Sequence, residues 1–246
     1  MVCGSASMMY QFEHVVKYAS GLEFKPTFDP RFVHYNTVTK VGMNIVDPLK
    51  ENVWSHGVTM ADCITSMAKF GVVESGRLPA DEKNICETSV SGVSGEALKN
   101  RVVEYGVVVE PDPGKRVEIV KILIACGFIV NVTVIYINDT TIVPFGQKLD
   151  KKYYTRDNII ENGHYINLIG FNEAKREFSY INSWGENWGN GGYGVVSYDC
   201  VAYNKEVTYG NIYFLVGVTY NDKLYSLKKS VPEGVGCIRM VVPVGC

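Results

Sequence analysis

No run of about eighteen apolar residues occurs anywhere in the chain, so no membrane-spanning helix is expected. The seven cysteines include no CxxC pair, which argues against a structural zinc site, and no metal or other cofactor is expected. Charge of one sign is also missing. A formal net charge of −2 over 246 residues gives no broad basic field, so nucleic acid is not an expected partner. There is no internal repeat and no low-complexity tract. Met1-Val2-Cys3-Gly4-Ser5 has neither a basic leader nor an apolar signal segment, so a signal or pro-segment is expected to be absent or already removed. The odd cysteine count leaves at least one thiol unpaired within the chain. Cys63 and Cys126 fall in segments that read as helix, where a free thiol acts as a small apolar group. The reading leans toward a reduced, intracellular protein, with Cys237 left open to pair with Cys246 or Cys86. Asn138 fits a glycosylation acceptor only for a secreted chain, and Asn131 lies in too apolar a segment to be modified.

What is present divides by type. Apolar residues at three- and four-residue steps predict a helix over 6–19, with Ser5 as N-cap and Ser20-Gly21 as its stop. A second helix is expected over 59–70, ended by Gly71, and a third over 95–105 through Leu98, Val102 and Tyr105. The stretch from Phe24 to Asn52, with Pro26, Pro30 and Pro48, reads as irregular. After the turn signal Asp112-Pro113-Gly114 comes a helix over 116–125. Gly127 breaks it before a β-branched run over 128–137. Strands are expected at 164–171, 177–182, 192–197 and 211–219. Helices in the first half and strands in the second predict an α+β chain, with a mainly helical lobe over 1–110 and a mainly β lobe over 111–246.

Two segments carry the chemistry. One is Gly163-His164-Tyr165-Ile166-Asn167-Leu168-Ile169-Gly170-Phe171. The other is Asn182-Ser183-Trp184-Gly185, running on through Trp188-Gly189 to Gly191-Gly192-Tyr193. A lone His on an apolar strand is most simply a core histidine capped by a backbone carbonyl, and a lone Asn a turn residue. The two together, with the aromatic and glycine run behind the Asn, resemble the papain-like cysteine peptidases. Near the start, Cys3-Gly4-Ser5-Ala6 is similar to that family's Cys-Gly-Ser-Cys at the head of a long helix.

The resemblance implies a papain-like two-lobed fold, with a helical lobe, an antiparallel barrel-like lobe and an active-site cleft between them. It implies His164 as the base, Asn182 as the group that orients it, and Trp184 as a shield over their hydrogen bond. It places Ala6 at the nucleophile position, with the Ala6 backbone N–H left as an oxyanion donor. It puts Gly57 where an extended peptide would pair, and Tyr165 beside the main specificity pocket. A thiolate needs a neighbouring His and a helix N-terminus to form near neutral pH, and the developing oxyanion needs N–H donors.

There are departures from the family. Ser7 stands where the family has Trp, no Gln precedes Ala6, and the glycine pair beside the second helix is reduced to His56-Gly57. A Cys3–Cys63 bridge is not expected, because Cys63 falls inside a helix. The resemblance therefore implies a peptidase whose Cys has been replaced by Ala6. The alternative is a natural pseudopeptidase acting as a peptide-binding or regulatory module. A peptide or protein substrate is the implied partner, with an inhibitor or a pro-segment as further candidates.

Overall fold

A computed structural model of the chain describes residues 3–21, 23, 26–42, 45–137, 159–202, 212–227 and 237–242. Cys246 and Asn138 lie outside the described residues, as does most of the stretch 140–160. The fold mixes helices with an antiparallel sheet and divides into two compact units. The first takes in residues 1–105, 215–229 and 240–246, and the second residues 106–214 and 230–239.

The first unit begins with α1 (Cys3–Ser20), whose inward face buries Met8, Met9, Phe12, Val15 and Val16. The helix starts earlier than the sequence predicts. Ser5 is therefore no cap but an interior residue, fully buried, with its Oγ 3.8 Å from the Cys63 Sγ. Gly21, at φ +66°, ends the helix by returning its N–H to the Lys17 carbonyl. Phe12 meets Phe28 edge-on at 4.9 Å, and the buried Glu13 carboxylate accepts the Phe28 N–H at 3.1 Å.

The proline-containing stretch after α1 is more regular than expected. Asp29 accepts the Arg31 N–H at 3.0 Å and Pro30 opens α2 (Pro30–Asn36), a cap and first-turn proline that mark a helix start. One π-helical turn, Thr37–Val41, continues it. Then α3 (Met60–Lys69) starts at Thr59, whose hydroxyl accepts the Asp62 N–H. Gly71 ends this segment at φ +80°. A Cβ there would stand 1.9 Å from the Ala97 carbonyl oxygen, so only glycine fits.

The helix expected over 95–105 is not found. α4 spans Glu87–Ala97, and Val102–Val108 is a strand, β1, with strictly alternating burial. Leu98, Val102 and Tyr105 matched a helical step by coincidence, while Val102, Glu104, Gly106 and Val108 supply the period-two face. α4 itself was hard to see because only Val90 and Ala97 of its eleven residues are buried.

In the second unit, Asp112 caps α5 (Pro113–Ala125) by accepting the Lys115 N–H at 2.8 Å, and Gly127 closes it at φ +88°. Strands β2 (Val130–Ile137), β3 (Ile159–Asn172), β4 (Glu177–Ile181) and β5 (Tyr193–Ser197) form consecutive antiparallel pairs. The short helix α6 (Tyr198–Ala202) follows. β6 (Ile212–Tyr220) pairs with β2 at Asn131↔Tyr213 and, further along, with β7 (Lys223–Ser226) and β1. β8 (Cys237–Val241) pairs with β1. The second unit's core includes Leu123, Phe128, Val132, Ile166, Leu168, Phe178 and Phe214. Gly106 is glycine because the Phe214 ring fills its Cβ position, 2.0 Å away.

All six described thiols, Cys3, Cys63, Cys86, Cys126, Cys200 and Cys237, are unbridged, so Cys86 and Cys237 do not pair. Asn131 is fully buried, as its apolar setting implied. No helix among the described residues is long and apolar enough to cross a membrane.

Candidate active site

His164 lies on β3 opposite Val134 of β2, in an unbroken antiparallel register from Gly163 to Leu168. β3 turns back as β4, and Asn182 is the first residue after that strand. The hairpin thus brings together two residues eighteen apart in sequence. The His164 Nε2 is 2.8 Å from the Asn182 Oδ1. The same oxygen accepts the Ser183 N–H at 2.8 Å. A carbonyl oxygen already receiving one N–H can only accept from the ring, so Nε2 carries the proton and Nδ1 is the basic nitrogen of the neutral imidazole.

The glycines behind Asn182 explain how the amide is held. The Asn182 N–H donates to the Gly192 carbonyl at 3.0 Å, and the Gly192 N–H donates to the Trp188 carbonyl at 2.7 Å. Closing this loop needs left-handed backbone at Gly185, Gly189 and Gly192, at φ +82°, +59° and +90°. At Gly189 a Cβ would also come within 2.4 Å of the Tyr193 carbonyl oxygen.

Trp184 tilts against the His164 ring at 4.8 Å between centroids, and Trp188 meets Trp184 edge-on at 5.5 Å. His164 is 7% exposed and Asn182 3%, whereas Trp184 is 41% exposed. The indole thus lies against the His164 ring and remains partly open to water. Burial lowers the His164 pKa from its ordinary value, and the Asn182 bond only partly offsets this. The ring is therefore kept neutral, the form that can take up a proton.

The other predicted residues are placed as follows. Tyr165 is half-buried opposite Thr133, and strand alternation sends its ring to the other face of β3 from His164. Ala6 is the fourth residue of α1, half-buried between the buried Ser5 and Ser7. Gly57 is exposed just beyond the 3₁₀ turn Val53–Ser55, with open space around its Cβ position. Both belong to the first unit, and His164, Asn182 and Trp184 to the second.

Sequence reasoning missed the Ser183 N–H as a clamp on Asn182. It also missed Gly194, whose hydrogen side chain makes room for the Tyr180 and Trp188 rings at 2.6 and 2.9 Å from its Cβ position. A glycine inside a predicted strand was the available signal.

No protein-family model matches the chain, and no curated protein matches it significantly. Solved structures do. Xylellain, a cysteine protease from Xylella fastidiosa, is 18% identical with a TM-score of 0.67, over 87% of this chain and 78% of that one. The bromelain protease from Ananas comosus, in complex with the E64 inhibitor, is 15% identical with a TM-score of 0.59, over 87% and 88%. The Carica candamarcensis protease CMS1MS2, in complex with E-64, is also 15% identical with a TM-score of 0.59, over 87% of each chain. The chain has the two-lobed α+β fold of the papain-like cysteine proteases.

Proposed function

We propose that the chain is a papain-like cysteine peptidase in a form that lacks its nucleophile, with Ala6 in the place of the Cys. The observation that carries this reading is the buried His164–Asn182 hydrogen bond under Trp184. That fixed tautomer leaves Nδ1 to exchange a proton with a thiol. In the parent reaction a cysteine at position 6 attacks the peptide carbonyl, and its proton passes to His164. Asn182 holds the ring, the Ala6-position N–H receives the oxyanion, and His164 returns the proton to the leaving amine before water releases the acyl group. Trp184 lines the leaving-group side and Gly57 contacts the peptide, whereas Tyr165, on the other face of β3, stands away from it. As written, the chain binds a peptide or protein without cleaving it. An inhibitor or a pro-segment is a further partner of the same site, in keeping with the E-64 complexes of bromelain and CMS1MS2.

A second reading has one observation in its favour. Ser7 is only 1% exposed, so the helix around position 6 is packed about a small residue where the resemblance implies a large aromatic. A natural pseudopeptidase, keeping the groove for binding or regulation, would have drifted in this way.

The test is Ala6→Cys, alkylated with iodoacetamide from about pH 5 to pH 9 and followed by peptide mapping, since a paired thiolate persists well below the ordinary thiol range. Cys63 is a silent background, its thiol pushed up to about 12 by burial. Rapid labelling at position 6 that persists below neutral pH supports the peptidase. Labelling no faster than an ordinary thiol overturns it in favour of the binding module.

A further inference from the structure

A cavity of about 280 Å³ opens in the first unit beside Gly57. That is small against the ~300–1,000 Å³ of ordinary ligand pockets and suits one long side chain. Its wall includes Val38, His56, Gly57, Val58, Thr59 and Asp62. Gly57 is exposed, and nothing lies within 4 Å of its Cβ position. Among the described residues no hydrogen bond takes up its N–H or its C=O. An extended peptide can therefore pair with this backbone, as a strand added at an open edge does. Its alternate side chains then point to opposite sides, so one of them falls at the cavity mouth.

Asp62 decides what that side chain can be. It is the third residue of α3, and Thr59 caps the helix by accepting its N–H at 3.1 Å. In a reciprocal capping box the side chain at this position would reach back to the N–H of the cap. Asp62 does not do so. Among the described residues its half-buried carboxylate meets neither a hydrogen-bond donor nor a cation. A helix N-terminus favours a carboxylate, which accounts for an acidic residue in the first turn but not for one lining a cavity beside open backbone. Of the lining residues only Asp62 is charged when His56 is neutral, and His56 turns to Glu51 at 3.4 Å. Val58 adds an apolar wall along which a run of methylenes can lie. An apolar side and one uncompensated carboxylate fit a side chain with a long stem and a cationic head.

We propose that this cavity receives a lysine or arginine of the bound peptide and that Asp62 selects it, an inference that rests on the peptide binding of the reading above. The backbone of that residue pairs at Gly57, its methylenes lie along Val58, and its ammonium or guanidinium group meets the Asp62 carboxylate. A glutamate in its place brings a like charge to Asp62, and a norleucine leaves the carboxylate unpaired. Asp62 is a specificity residue and takes no part in the bond-breaking steps.

The test uses Ala6→Cys and tripeptidyl acyloxymethyl ketones, which alkylate an activated thiol. Each of the two residues ahead of the ketone-bearing one is set in turn to Lys, Arg, norleucine or Glu. At one of these positions the labelling rate at residue 6 should rank Lys and Arg over norleucine over Glu. About fivefold is expected between Lys and norleucine at low salt, and less at high salt. Asp62→Asn keeps the size of the side chain and the N–H that Thr59 accepts, and it should bring that ratio to about one. Glu51→Gln removes the same charge from outside the cavity wall and should leave most of the preference. Equal rates for Lys and norleucine at both positions would overturn the proposal, as would a preference that survives Asp62→Asn. Iodoacetamide on the same chain separates the two readings. Rapid labelling without a basic preference removes the role of Asp62 and keeps the peptidase. Labelling no faster than an ordinary thiol overturns the peptidase, and the preference is then read on the unchanged chain by selecting phage-displayed random heptapeptides on it and on Asp62→Asn. Lys or Arg enriched at one peptide position with the unchanged chain alone upholds the proposal, and any other result overturns it.

Discussion

Two buried histidines of this chain look alike by most local measures and differ in their partners. His34 of α2 and His164 of β3 each bond through Nε2, at 3.1 and 2.8 Å. Each lies against a tryptophan, His34 on Trp54 at 5.5 Å and His164 on Trp184 at 4.8 Å. Burial lowers both pKa values, that of His34 to about 4. The difference is in the acceptor and the access. His34 bonds the Val53 backbone carbonyl, and none of its surface is exposed. Among the described residues its buried Nδ1 has no hydrogen-bond partner. His164 bonds a side-chain amide that is itself pinned by Ser183 and Gly192. A depressed pKa and a tryptophan neighbour therefore do not mark a reactive histidine. What sets His164 apart is its oriented amide partner and 7% exposure where His34 has none.

The sharpest way to break this comparison is in the Ala6→Cys background. His164→Ala should lower kcat/KM for a peptide substrate by about 10³-fold or more, because the thiol loses both its proton acceptor and the ion-pair partner of its thiolate. His34→Gln in the same background should leave kcat/KM within about threefold while lowering stability, since it removes a buried contact away from the reacting atoms. A large loss of kcat/KM in folded His34→Gln would overturn the assignment of His34 to packing alone.

Next in size is the acid response of His34. Its folded pKa of about 4 lies below its ordinary value of 6.5. The unfolded chain therefore takes up the proton first as pH falls. The stability this histidine contributes is complete above 6.5 and is lost down to about 4, some 3 kcal/mol in all on an order-of-magnitude basis. Urea unfolding of the unchanged chain and of His34→Gln at neutral pH and near pH 4 should show the two stabilities converging in acid. A gap that stays constant with pH would remove His34 as the titrating group. Gly189→Ala should cost about 2 kcal/mol, from left-handed backbone and the contact with the Tyr193 carbonyl. It should also weaken the His164–Asn182 bond, visible as exchange broadening of the His164 Nε2 proton in NMR spectra.

The sequence is legible where contacts are short-range. His164 and Asn182 meet through one hairpin, and the glycines that hold Asn182 lie within ten residues of it, so the pattern is written in a single stretch. α1, α3 and α5 were visible for the same reason, since each carries its periodicity and its stop glycine locally. The failures have physical causes too. α4 shows too little apolar surface to declare a face, and Val102 to Val108 becomes a strand because β6 and β8 pair with it, and both lie more than a hundred residues away. α2 was hidden by the prolines around it, although Asp29-Pro30 is a start signal in its own right. His164 alone on an apolar strand reads as a core histidine, and only the Asn182 segment behind the next strand points to a second partner.

Trp184 is the smallest lever on the comparison and the most specific. At 41% exposure it is partly buried against His164 and Trp188, so Trp184→Ala should cost about 2 kcal/mol of stability. Its specific effect falls on the ring beneath it. Burial is the larger cause holding the His164 pKa down, and the indole at 4.8 Å supplies part of that burial. Removing it admits water to His164 while the Asn182 bond, which favours the charged form, remains. The His164 pKa should therefore rise toward its ordinary value in Trp184→Ala, as followed by the pH dependence of its ring resonances. Because a depressed histidine pKa stabilises the fold only above the range where the unfolded chain protonates, the variant should also lose less stability in mild acid than the unchanged chain does. Trp54→Ala is the control at the other histidine, and it should leave the His164 titration where it is. A His164 pKa that does not move in Trp184→Ala would mean that β3 and its neighbours, not the indole, keep water from the ring.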